Sequence, residues 1–288
     1  MLNYVAPSTV EEAVRILAEA PGTAKVLSGG TDLLVQLRSG RAKPGLIVDI
    51  KKIPGISGIG ERDGDFVIGA STPGAVIGEC EALQRAWPGV VEAANLIGST
   101  QVQGRASLAG NLCNASPAAD SVPALIAARA TCAVAGPKGR REVPVESIAI
   151  GPGRTSLSPG EFILEIRLPK PRPRSADAYL RFIPRTEMDI AVVGAAVSLA
   201  LDADGVCADA RVVLGAVAPT AILVPEAAAA LVGRKLDETA LAGLDQAVRR
   251  ACKPIDDKRG TIEYRTKVAG VLARRTATIA YERAGERR

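Results

Sequence analysis

Two stretches of this sequence combine residue types suited to holding an anionic ligand. The first reads Leu27-Ser28-Gly29-Gly30-Thr31-Asp32-Leu33. Adjacent glycines let the backbone approach a ligand with no Cβ in the way. Where such a turn opens a helix, unsatisfied N–H groups and a partial positive charge face whatever lies ahead of it. That combination suits a pyrophosphate. Taken alone, the same residues also fit a simple helix cap supplied by Thr31 or Asp32, and Asp32 is a poor direct neighbour for phosphate. The second stretch, residues 106–120, is dense in small and hydrogen-bonding residues: Ser107, Ala109, Gly110, Asn111, Asn114, Ser116 and Asp120. Its hydroxyls and carboxamides can donate to phosphate or ring oxygens, and Asp120 can accept from ribose hydroxyls or an exocyclic amine. The competing reading is an ordered, turn-rich loop with no ligand.

Composition narrows the chemistry. The 288 residues include no histidine. That excludes Ser-His-Asp and Cys-His catalysis, His-ligated zinc and imidazole acid–base work. The cysteines (Cys80, Cys113, Cys132, Cys207 and Cys252) form no C-x-x-C, so neither a zinc ribbon nor a local iron–sulfur motif is visible. No catalytic residue and no metal ligand set stands out. Free thiols in a reducing cytoplasm are the simple expectation. A G-x-G-x-x-G fingerprint and a Gly-Lys-Ser/Thr phosphate loop are both missing. The net charge of +5 is spread over several segments, and aromatics make up only 3%. Both features argue against nucleic-acid binding. The N-terminus carries no charged-then-apolar signal segment, and no apolar run is long enough for a membrane span.

The elements that must position the two stretches follow from patterning. Ser8-Thr9 ahead of Glu11 and Glu12 predicts a helix through residues 13–20, stopped by Pro21-Gly22. Residues 24–27 form a strand that enters the first stretch, and a helix resumes over 33–38. Strands are expected at 46–50, 66–70 and 162–168, and helices at 74–86, 89–97 and 122–129. The segment 99–120 is too long and polar for a connector and is expected to be a functional loop. Gly136-Pro137-Lys138-Gly139 marks a hairpin. The proline-rich, basic run 169–174 is the best linker, dividing the chain into domains 1–174 and 175–288. Beyond it come apolar strands at 192–201 and 206–217 and helices at 225–232, 238–252 and 261–284. Without a strict βαβ rhythm, both parts are expected to be α+β.

Taken together, AKVLSGGTDLL and TQVQGRASLAGNLCNASPAADS resemble the flavoprotein subunit of the molybdenum hydroxylases, the group that includes xanthine dehydrogenase and aerobic carbon monoxide dehydrogenase. The resemblance covers nearly the whole chain, including residues 152–155, 160–166, 181–185 and 189–191. It implies a two-part FAD-binding domain of the vanillyl-alcohol-oxidase/PCMH type, followed by a smaller α+β C-terminal domain, an antiparallel sheet with helices. It implies FAD, with the pyrophosphate at Ser28, Gly29, Gly30, Thr31 and Asp32, flanked by Leu27 and Leu33. Ser107, Ala109, Gly110, Asn111, Asn114 and Asp120 would add phosphate, ribose and flavin-side contacts. A backbone contact to the flavin would fall near Leu164. A basic residue near the cofactor would match Arg181, where the family commonly carries Lys. One branch inserts a cysteine-rich iron–sulfur segment after the second stretch; here Asp120 leads directly into Ser121-Val122-Pro123, so no cluster is expected. Without histidine, no histidyl–flavin link can form.

The same resemblance implies partners: a large molybdopterin-binding subunit and a small [2Fe-2S] subunit, assembled as a dimer of heterotrimers. FAD would relay electrons to NAD+, oxygen or a quinone. Two other readings compete. One is a self-contained FAD-dependent oxidase with its own substrate pocket and base. The other is a non-enzymatic binding or assembly protein that keeps the fold without flavin. The substrate is not named by this chain, because the family's substrate pocket lies in another subunit.

Overall fold

Local signals set the first helix. In the computed structural model, which describes every residue except Met1, Glu187 and Arg288, α1 (Val10–Glu19) starts at Thr9. The Thr9 hydroxyl accepts from the Glu12 amide at 3.1 Å, while the Glu12 carboxylate accepts from the Ser8 amide at 2.9 Å. This reciprocal cap satisfies donors that the helix cannot. α1 lies between β1 (Asn3–Val5) and β2 (Ala24–Leu27) in the chain. Next come α2 (Leu33–Arg38) and β3 (Leu46–Asp49), and the three strands pair in parallel in the order β1-β3-β2.

The second sheet is antiparallel. It contains β4 (Ile59–Arg62), β5 (Asp65–Gly69), β6 (Thr131–Gly136) and β7 (Gly139–Pro144), then, beyond a small hairpin of β8 (Ala149–Gly151) and β9 (Arg154–Thr155), β10 (Phe162–Leu168). The order is β4-β5-β10-β6-β7. Between β5 and β6 the chain makes six short helices: α3 (Gly74–Glu79), α4 (Glu81–Ala86), α5 (Pro88–Asn95), α6 (Thr100–Gln103), α7 (Leu108–Asn114) and α8 (Ser121–Ala127). The helix expected over 74–86 is therefore broken, at Cys80. The segment 99–120 is also less loop-like than its composition suggests. Ser107 caps α7, accepting from the Gly110 amide, and Leu108 and Leu112, one turn apart, bury the same face.

The C-terminal part is a four-stranded antiparallel sheet, ordered β11 (Ser175–Phe182), β12 (Val193–Leu201), β13 (Cys207–Gly215) and β14 (Ile222–Leu223). α9 (Pro225–Ala229), α10 (Glu238–Ala251) and α11 (Ile262–Glu286) complete it. Alternation along the strands feeds two cores. Ala195, Val197, Val212 and Leu214 join the core under α10 and α11. Tyr179, Ala196 and Val213 join the larger core that holds α8 and the antiparallel sheet of the N-terminal part. Burial on both faces explains the unbroken apolar runs. The architecture is the expected α+β one. Among the described residues no helix is long and apolar enough to cross a membrane.

Candidate cofactor site

β2 ends at Leu27 and delivers the chain into Ser28-Gly29-Gly30. Gly30 adopts φ +80°, in the left-handed region that favours glycine. Gly29 is required for a different reason. A Cβ there would lie 1.9 Å from the Arg105 carbonyl oxygen and 2.7 Å from its carbon. The two stretches singled out by sequence therefore pack backbone against backbone. Their hydroxyls meet too: Ser28 Oγ lies 2.9 Å from Ser107 Oγ and donates to the Ala70 carbonyl at 3.1 Å. Ser107 Oγ also accepts from the Gly110 amide at 3.1 Å. These serines stitch the loops together, so the donors left for a ligand are chiefly backbone N–H groups.

Those donors are present. Among the described residues, the N–H groups of Gly29, Gly30, Thr31 and Asp32 donate to no backbone acceptor. Successive N–H groups in a turn form a concavity that attracts anions. α2 has only six residues, so its dipole adds little to the field of the turn itself. Asp32 does not cap α2 through its side chain. Its carboxyl lies on the cavity wall, where burial raises its pKa above the usual carboxylate range.

Between the loops lies a cavity of about 490 Å³, a volume typical of small-molecule sites. Ser28, Gly29, Gly30, Thr31, Asp32 and Leu33 line one side, joined by Ser107, Ala109, Gly110, Asn111 and Asn114 from the second stretch. Asn111 Oδ1 accepts from Ser121 Oγ at 2.7 Å and from the Ser121 amide at 3.4 Å. That leaves the Asn111 amide nitrogen as the group free to donate into the cavity. Asn114 Oδ1 accepts from Gln36 Nε2 at 2.9 Å, which ties α7 to α2. The rest of the lining is not signalled by the sequence: Pro21, with Ala24 and Lys25 of β2, and Leu157, Pro159 and Phe162 at the entry to β10. Their signals, Pro21-Gly22 and Ser158-Pro159-Gly160, are legible only as turns. Nothing in their spacing brings them together.

Four expected residues do not line this cavity. Leu27 lies behind the turn, with Cδ1 2.9 Å from where a Cβ on Gly30 would stand. Leu164 sits at the register shift between β10 and β6, and its carbonyl accepts from the Ala70 amide at 2.9 Å. Asp120 and Arg181 pair with each other at 2.8 Å, with side chains 10% and 5% exposed. Tyr179 donates to the second Asp120 oxygen at 3.1 Å, and Arg181 also donates to the Leu96 carbonyl at 2.8 Å. Burial pushes Asp120 up to about 6, while the Arg181 charge and the Tyr179 hydroxyl pull the other way. The pair fastens β11 to the start of α8.

Residues 1–171 match the family described as the FAD binding domain in molybdopterin dehydrogenase. The chain belongs to this family. Residues 178–280 of the flavoprotein match the CO dehydrogenase flavoprotein C-terminal domain. The carbon monoxide dehydrogenase medium chain of Hydrogenophaga pseudoflava is 33% identical over 281 residues, covering 98% of this chain and 97% of that one. The xanthine dehydrogenase FAD-binding subunit of Escherichia coli O157:H7 is 30% identical over 285 residues, covering 98% and 97%. A solved structure of the Hydrogenophaga pseudoflava carbon monoxide dehydrogenase, lacking the Mo-pyranopterin moiety of its molybdenum cofactor, matches with a TM-score of 0.94 at 34% identity, over 98% of each chain. The flavoprotein is thus an oxidoreductase subunit of the molybdenum hydroxylase family, and its cofactor is FAD. The cradle fits that group: a Cβ at Gly29 would fill the contact between the loops, and four consecutive amides lack backbone partners.

Proposed function

We propose that this chain is the electron-transfer subunit of a cytoplasmic heteromeric molybdenum hydroxylase. It takes electrons from the [2Fe-2S] clusters of a small partner subunit, beside a large molybdopterin-binding subunit in a dimer of heterotrimers. It passes them to NAD+, oxygen or a quinone. In this reading residues 1–174 hold FAD and residues 175–288 brace the site. The observation that carries the reading is the row of four unpartnered amides facing a cavity closed by a second glycine-containing loop.

Each wall has a role. The amides of Gly29, Gly30, Thr31 and Asp32 bind the pyrophosphate, and Ser28 and Ser107 hold the loops at the spacing it needs. Leu33, Ala109 and Gly110 shape the wall around it. Asn111 and Asn114 direct carboxamide N–H groups at ligand oxygens. Leu27 supports the turn from behind, Leu164 sets the strand edge beside the cavity, and Asp120 with Arg181 fixes the α7–α8 wall. Bound flavin supplies the redox chemistry, and the chain supplies binding and orientation. The ionisable side chains on the wall suit a relay better than a self-contained oxidase. Glu161 is paired with Arg141 at 2.7 Å, and burial pushes the Cys113 thiol up to about 12. Neither of these is poised near neutral pH as a general base, and Asp32, whose carboxyl pKa burial raises, sits in the glycine turn assigned here to the pyrophosphate.

The test is reconstitution. The full chain should bind FAD and show flavin absorbance. Mixed with its two partner subunits and the substrate of the complex, it should show flavin bleaching that requires the [2Fe-2S] subunit. Bleaching by an organic substrate with the lone chain would favour the oxidase reading instead, and absence of FAD binding would overturn both.

A further inference from the structure

Next to the glycine turn, three side chains that are not part of the cavity lining form a chain of hydrogen bonds that ends on the turn's backbone. Tyr4 in β1 donates to Asp49 Oδ2 at 2.7 Å. Lys51 Nζ donates to Asp49 Oδ1 at 2.7 Å and to the Ser28 carbonyl oxygen at 3.1 Å. Asp49 is 7% exposed, and its Oδ1 also accepts from the Lys51 amide at 3.0 Å, so its position is fixed. Lys51 itself is not on the cavity wall.

A peptide unit is planar, and in its trans form the C=O and the following N–H point in opposite directions. No peptide bond among the described residues is cis. Holding the Ser28 carbonyl against Lys51 therefore turns the Gly29 N–H the other way, toward the cavity that Gly29 lines. Gly29 is the first of the four unpartnered amides. Glycine leaves this peptide unusually free to rotate, so an external anchor is needed to keep its donor aimed.

We infer that Lys51 is a positioning residue for the pyrophosphate cradle, aiming the Gly29 amide by holding the Ser28 carbonyl, with Asp49 and Tyr4 holding Lys51 in place. The inference rests on the reading of this cavity as the FAD site. It differs from a simple charge effect in a way that can be measured. If Lys51 acted only through its positive charge, removing the neighbouring Asp49 charge would strengthen binding of an anionic ligand. If it acts by positioning, removing Asp49 releases Lys51 and weakens binding.

The experiment compares FAD affinity, by flavin fluorescence titration, for the full wild-type chain, Lys51→Met and Asp49→Asn. It also compares the Gly29 amide resonance in the FAD-free proteins. Lys51→Met should bind FAD about tenfold more weakly, which corresponds to about 1.4 kcal/mol. Asp49→Asn should also bind more weakly, and the Gly29 amide should shift in both variants before FAD is added. Wild-type affinity in Lys51→Met, or tighter binding in Asp49→Asn, would overturn the positioning role while leaving the FAD site intact. Absence of FAD binding by the wild-type chain would remove the site reading itself, and is seen before any variant is compared. Circular dichroism of the FAD-free variants guards against unfolding, and Tyr4→Phe supplies a milder step in the same direction.

Discussion

Gly29→Ala is the most direct test of the contact between the two loops. The new Cβ would stand 1.9 Å from the Arg105 carbonyl oxygen, whereas unstrained heavy atoms sit about 3.5 Å apart. The loops must therefore separate by about 1.5 Å, and both partners in the clash are backbone. The second loop cannot retreat freely, because the Ala106 carbonyl accepts from the Gly74 amide at 2.7 Å and the Arg105 amide donates to Val102 at 3.0 Å. The same separation would stretch the 2.9 Å contact between Ser28 and Ser107 beyond hydrogen-bonding range. Overpacking of this kind typically costs about 1–3 kcal/mol, and the lost hydrogen bond adds about 1 kcal/mol. Because both loops shape the cradle, a displacement above 1 Å would break amide–phosphate hydrogen bonds worth about 1.4 kcal/mol each, and losing two of them should weaken FAD binding by about 100-fold. Gly30→Ala is the internal control. Its Cβ would meet the side-chain tips of Leu27, at 2.9 Å, and Leu34, at 3.4 Å, rather than backbone, so left-handed strain of about 1 kcal/mol dominates. Urea unfolding of the FAD-free proteins and fluorescence titration with FAD read the two effects separately. Wild-type affinity in Gly29→Ala, with Gly30→Ala the more damaged, would refute the claim that loop-to-loop contact builds the site.

Three further outcomes follow from the same geometry. Arg181→Met leaves Asp120 buried without its cation and should lower stability by about 3–5 kcal/mol in urea unfolding; a loss below about 1 kcal/mol would show the pair to be no more than a surface-like bridge. Burial pushes Asp177 up to about 7, against the Gly89 and Val90 amides it accepts from, and Asp120 up to about 6. Both folded values lie above the unfolded carboxylate value of about 4, so the stability these groups contribute is fully present at lower pH and is lost as pH rises through 6 to 7. Carboxylates held low by Arg partners, such as Asp209 and Glu165, act in the opposite sense only below about pH 4. The urea midpoint should therefore fall between about pH 4 and pH 7 and level off above that, and Asp177→Asn should flatten that slope; an unchanged slope would sink the assignment. Ser121→Ala frees the Asn111 carboxamide and should weaken FAD binding several-fold for a stability change of about 1 kcal/mol. Equal affinity would show that Asn111 does not face the ligand.

What could be read from the sequence, and what could not, divides along physical lines. The Ser28-Gly29-Gly30 turn is legible because few residue types tolerate a positive φ or a close backbone approach. Which backbone approaches Gly29 is not legible, since Arg105 lies far along the chain. β12 and β13 are legible as apolar runs because both faces are buried. β11 escapes notice because its buried polar residues find partners only in three dimensions: Asp177 at the start of α5, and Arg181 on Asp120. α7 hides in a Gly- and Asn-rich segment, although Ser107 as a cap with Leu108 and Leu112 one turn apart was an available signal. The rest of the cavity lining comes from strand ends and turns whose chemistry is generic, so no local pattern points to them.

The buried charges of the C-terminal part bear on the choice between a relay and a self-contained oxidase. A substrate-oxidising enzyme needs ionisable groups held near the flavin and free to exchange protons. Here the buried charges of the C-terminal part lie outside the cavity lining and are engaged in packing that part internally and against the N-terminal helices. Asp177 accepts from two amides at the start of α5, Glu92 accepts from the Tyr179 amide at 3.0 Å and pairs with Arg283, and Arg287 donates to the Ala86 and Ser175 carbonyls. Arg265, 3% exposed, donates to the Val192 carbonyl at 2.8 Å and pairs with Asp257. Buried ions in such networks are strongly destabilising when unpaired, so they hold the C-terminal sheet in one position against α5 and α8. A brace of this kind suits the relay proposed above, in which the chain binds and orients its flavin and the redox chemistry is the cofactor's.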